Sequence, residues 1–82
     1  MTSNMRPHAS KADYRDAFAG LVFPISTSAI IRRARDNGGV DHEVKVIVEQ
    51  LPDRRFASLA ELENAVRMVY LARGMPADTL PI

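Results

Sequence analysis

The stretch "DHEVKVIVEQLP", residues 41–52, admits two readings, and the choice between them sets the fold class. Its β-branched run "VKVIV" has the residue types of a strand. Val44, Ile47, Val48 and Leu51, however, fall at i, i+3, i+4 and i+7, the spacing of one buried helical stripe. Strand alternation would bury only the neighbours of Lys45 and would leave the flanking residues without a role. Asp41 is a good N-cap and Pro52 forbids continuation, so the spacing predicts a helix over roughly 42–51.

Towards the C-terminus, "LPDRRF" (51–56) is a turn and "SLAE" (58–61) is a capping box. In it Ser58 caps the next helix and Glu61 reaches back to the Ser58 N–H. Phe56 precedes the cap and is expected to fold into the core. Pro52, Phe56, Ser58 and Glu61 therefore form a structural corner. The helix beyond it, about 59–73, is expected to bury Leu59, Leu62, Val66, Val69 and Tyr70, and Gly74 with Pro76 ends it.

Towards the N-terminus, "NGG" (37–39) is a left-handed helix stop, with Gly38 at its centre, for a helix that buries Ile30, Ile31 and Ala34. Ser26 or Thr27 caps that helix. Pro24, in "VFPIST", separates it from a first helix that starts near Lys11 behind the capping box "SKAD". There Tyr14, Ala17, Phe18 and Leu21 make another stripe, with Gly20 fraying its end. The whole reads as an all-α bundle of three to four short helices: a disordered arm over 1–9, one domain over 10–75 and a tail over 76–82.

These segments carry a resemblance. "FPIS", "ARDNGG" and "LPDRRFASLAEL" together resemble a family of small bacterial and archaeal domains, domain-of-unknown-function family 2795. Its pattern has an aromatic–Pro step, an Ala-x-x-Asn-Gly helix end, and Leu-Pro-Asp-Arg followed by an aromatic, a Ser and an acid. Matching residues are Phe23, Pro24, Ala34, Asn37, Gly38, Leu51, Pro52, Asp53, Arg54, Phe56, Ser58 and Glu61. The resemblance implies a compact helical domain and transfers no catalytic residue. This chain adds a second Gly after Gly38 and runs its last helix on through "RMVYLARG", where the family usually stops sooner.

The bulk composition narrows the chemistry. With 82 residues there is one domain at most, and 46% hydrophobic and 26% charged residues are ordinary for a globular chain. A net charge of +1 falls short of the basic balance of a nucleic-acid binder. The absence of cysteine excludes disulfides, thiolate nucleophiles and Cys-ligated metals. No apolar run approaches a membrane span, so the default expectation is a cytoplasmic protein without membrane association.

No catalytic, cofactor-binding or metal-ligating residue is expected, and the chain is not expected to be an enzyme. Asp41–His42–Glu43 is the sharpest enzymatic grouping, yet consecutive helical side chains diverge by about 100° and do not converge on one ion. An N-cap followed by an acid on the helix dipole accounts for them. Ser26, Thr27 and Ser28 lack a nucleophile elbow, and "NGG" ends a helix where a phosphate loop would open one.

Two interaction readings stay open. Met68 and Leu71 lie opposite the core stripe of the last helix, joined by Met75 if that helix persists another turn. Such a face suits a homo-oligomer or a protein partner. Alternatively, the helix-turn-helix outline of 27–51, with Arg32, Arg35, Arg54 and Arg55, suits a nucleic-acid-binding regulator. Against it, the would-be recognition helix carries Glu43 and Glu49, which repel phosphate.

Overall fold

The computed structural model describes residues 9–36 and 41–82. In chain order these form α1 (Lys11–Phe18), β1 (Ile25–Ser26), α2 (Thr27–Asp36), α3 (His42–Glu49), β2 (Arg55–Phe56), α4 (Leu59–Ala72) and a single 3-10 turn (Ala77–Thr79). The "NGG" stop with Asn37 and Gly38 lies outside the described residues. The helical reading of "VKVIV" holds: Asp41 Oδ1 accepts from the Glu43 N–H at 2.8 Å, and Val44, Ile47 and Val48 are buried.

The fold is mostly helical but not purely all-α. β1 and β2 pair antiparallel, Ile25 opposite Phe56 and Ser26 opposite Arg55. A two-residue strand has no alternation to read, which is why the sequence pattern passes over it. Its ladder is extended by the Thr27 N–H on the Arg54 carbonyl at 3.0 Å. Thr27 is buried and its hydroxyl donates to the Pro52 carbonyl at 2.6 Å and accepts from the Arg54 N–H at 3.3 Å. The corner at 51–56 is thus pinned to the start of α2. Ser26 caps α2, accepting from the Ala29 N–H at 3.2 Å.

α1 opens with a complete capping box: Ser10 Oγ accepts from the Asp13 N–H and Asp13 Oδ2 accepts from the Ser10 N–H. At its far end the Arg33 guanidinium donates to the Ala19 carbonyl at 3.1 Å. Gly20 makes that approach feasible, because its φ is +80° and an added Cβ would sit 2.9 Å from the Arg33 Nη2. The core gathers Tyr14 and Phe18 of α1, Ile30 of α2, the α3 stripe, Phe56, and Leu62, Val66 and Tyr70 of α4. Ala9 and Leu80 join it, although the sequence leaves both outside the domain.

Three local expectations change. Leu59 is 42% exposed, because the first position of α4 stands ahead of the layer that Leu62 buries. The Ser58 cap forms, accepting from the Glu61 N–H at 3.3 Å, but Glu61 Oε1 accepts from the Ala57 N–H and from Arg54 instead of returning to the Ser58 N–H. Met75 does not extend the outer face of α4. The helix stops at Ala72, Gly74 adopts φ +87°, and the N–H groups of Gly74 and Met75 bond the carbonyls of Leu71 and Tyr70. This left-handed cap turns Met75 back against the core.

Candidate functional site

The Asp41–His42–Glu43 grouping resolves into separate tasks. Asp41 caps α3, His42 is exposed, and Glu43, itself partly buried, enters a polar chain that runs into the core. Glu43 Oε2 accepts from the Tyr70 hydroxyl at 2.8 Å and from the Ala9 N–H at 2.9 Å. Tyr70 in turn lies 2.6 Å from the Tyr14 hydroxyl. Since the Tyr70 proton is given to Glu43, Tyr14 is the donor of that pair. Burial pushes both phenols above the ordinary tyrosine range, and the neighbouring Glu43 charge adds to the shift. Both stay protonated at neutral pH, so the chain works as a clamp between α1, α3 and α4. Among the described residues no three His, Asp or Glu side chains converge to hold a metal ion.

The four arginines do not form one surface. Arg35 pairs with Glu49 at 3.6 Å, both largely in solvent. Arg54 pairs with Glu61 at 3.1 Å and stacks on the Phe56 ring, 4.9 Å from its centroid. Arg32 and Arg35 line a hollow along α2, whereas Arg54 lines a groove on α4. Arg55 is exposed on β2. Two of the four therefore already face a carboxylate, in exposed pairs that hold them only weakly.

On α4 the stripe Leu62–Val66–Tyr70 is fully buried, while Met68 and Leu71 on the opposite side are 57% and 39% exposed. Met68 lines a groove of about 400 Å³ with Pro52, Arg54, Asn64 and Ala72. The corner at 51–56 and the outer face of α4 thus meet on one surface. Pro24 is exposed beside β1, and Phe56, Ser58 and Glu61 position β2 and the start of α4.

A larger groove escapes sequence reasoning. It encloses about 670 Å³ between α1, the start of α4 and the last residues of the chain. Its walls come from positions too far apart in sequence for any local spacing to bring them together.

Among the described residues no helix is long and apolar enough to cross a membrane. The family described as "Protein of unknown function (DUF2795)" matches residues 9–63. No curated protein and no solved structure matches the chain. The matched segment ends inside α4, so Met68 and Leu71 lie beyond it.

Proposed function

The chain belongs to the DUF2795 family of proteins of unknown function, and from that premise we propose that it is a small, non-catalytic helical interaction module that joins a second copy of itself through the outer face of α4. What supports this reading is the exposure of Met68 and Leu71 on a helix whose opposite stripe is fully buried. A helix that is apolar on two sides has two things to pack against. The domain is small, and self-association is a common way for such a chain to bury further apolar surface. A closed two-fold arrangement sets the same face of each copy against the other, and in the arrangement proposed Met68 lies near the axis, where it meets its own counterpart.

The chain has no cysteine, which makes a single introduced thiol a clean reporter. Met68→Cys is expected to form a disulfide-linked dimer under mild oxidation faster than Asp78→Cys, placed on the exposed 3-10 turn. Equal, slow cross-linking at both positions would contradict the reading.

A further inference from the structure

Past Met75 the chain is held to the helices by side chains alone. The last backbone hydrogen bond into α4 runs from the Met75 N–H to the Tyr70 carbonyl at 3.2 Å. Beyond it, the Thr79 N–H and the Thr79 hydroxyl both donate to the Pro76 carbonyl, at 3.1 and 2.9 Å, so the 3-10 turn closes on itself. Among the described residues no hydrogen bond and no ion pair joins 76–82 to the rest of the chain.

What holds this segment is a short run at its end. Pro76, Ala77, Asp78 and Thr79 are exposed, whereas Leu80 is 7% exposed and Pro81 is buried. Leu80 belongs to the same apolar cluster as Tyr14, Phe18 and Leu62, and Pro81 and Ile82 border the groove between α1 and the start of α4. The helices themselves are tied to one another by more than apolar contact: the β1–β2 ribbon, the Thr27 bonds to the corner and the Tyr14–Tyr70–Glu43 chain. A segment with few buried side chains and no hydrogen bonds to its surroundings belongs to the low-stability end of a fold and opens before the rest.

We propose that 76–82 is a releasable strap: Leu80 withdraws while α1 to α4 stay folded, and its withdrawal extends the groove between α1 and α4 into the seat that Leu80 fills. The pivot lies at Met75–Pro76, directly after the left-handed Gly74. The strap does not involve the outer face of α4, and the two proposals stand or fall separately.

The test uses the absence of cysteine. Leu80→Cys and, as a probe of the helical core, Val66→Cys, at a position 0% exposed, are labelled with a thiol reagent across a urea series, each rate being referred to that of the same variant unfolded. Without urea the Leu80→Cys thiol is expected to react at least about a hundredfold faster than the Val66→Cys thiol, because only the strap opens to expose it. Its rate should stay nearly flat through low urea while that of Val66→Cys climbs steeply, since little surface is exposed by strap release and much by unfolding. A second variant reads the groove: Leu80→Asp should keep the helical circular dichroism and a cooperative urea transition while binding more anilinonaphthalene sulfonate than the unmodified chain. Equal rates with equal urea dependence at the two thiols would overturn the proposal, as would loss of the helical signal in Leu80→Asp. Dye binding no greater in Leu80→Asp than in the unmodified chain would also overturn it.

Discussion

The hydroxyls of Tyr14 and Tyr70 lie 2.6 Å apart across 56 residues of sequence, and Tyr70 passes the chain of hydrogen bonds on to Glu43 at 2.8 Å. Three helices are joined at one buried point. The two phenols are not equivalent, because Tyr70 both accepts and donates whereas Tyr14 only donates.

Their substitutions should differ accordingly. Tyr14→Phe removes one neutral hydrogen bond and should cost about 0.5–1.5 kcal/mol, while Tyr70→Phe also takes a donor from a carboxylate and should cost about 2–4 kcal/mol. Urea unfolding followed by circular dichroism measures both. Equal losses would mean that the Glu43 end of the chain contributes nothing.

The same pair predicts an alkaline limit. Both folded-state phenols titrate above the ordinary value of 10.0, with burial the largest cause. The unfolded chain therefore releases protons first as pH rises. The stabilisation is complete below pH 10.0 and is lost above it, by about 1.4 kcal/mol per pH unit for each tyrosine until the folded form titrates. Tyr14 and Tyr70 are the only tyrosines, so tyrosinate absorbance should appear together with unfolding. Ionisation near pH 10 with the helical signal intact would show that the phenols are open to water.

At the corner, Phe56 is 0% exposed, and Phe56→Ala should cost about 3–5 kcal/mol. Ser58→Ala should cost about 1 kcal/mol through the lost cap. Thr27→Val should cost about 1–3 kcal/mol, since the Pro52 carbonyl and the Arg54 N–H lose their shared partner, and Thr27→Ser should recover most of it. Thermal unfolding reads all four variants. A neutral Thr27→Val would mean that the short ribbon alone holds the corner.

For nucleic acid, the pairing of Arg35 and Arg54 leaves Arg32 and Arg55 as the members of the set without an ion pair among the described residues. Two phosphate contacts give a salt slope of only about −1.8, so duplex DNA should bind no tighter than the non-specific range of about 10⁻⁴ M. A gel shift persisting at physiological salt and lost on Arg32→Ala with Arg55→Ala would reverse the ranking of the two interaction readings.

The helices were legible because their signals are local: the Ser10–Asp13 box, the Asp41 cap and the i, i+3, i+4 stripes each lie within a few residues. The ribbon was not, since two residues have no period and the partners, Ile25 with Phe56 and Ser26 with Arg55, are far apart in sequence. Leu59 fits the stripe by spacing, and only its place at the first turn exposes it. Glu43 looked like a simple first-turn acid because its partner Tyr70 arrives from another helix. The outer face of α4 could be read from Met68 and Leu71, but Met75 could not, because the left-handed Gly74 reverses the chain before it. The larger groove has no local signature at all.

Whether the outer face of α4 joins two copies is read by multi-angle light scattering of the unmodified chain and of Met68→Ser with Leu71→Ser across a concentration series. The unmodified protein is expected to be a dimer, 18.2 kDa from two chains of 9.1 kDa, and the variant a monomer. An unmodified protein that stays at 9.1 kDa into the high micromolar range would contradict it.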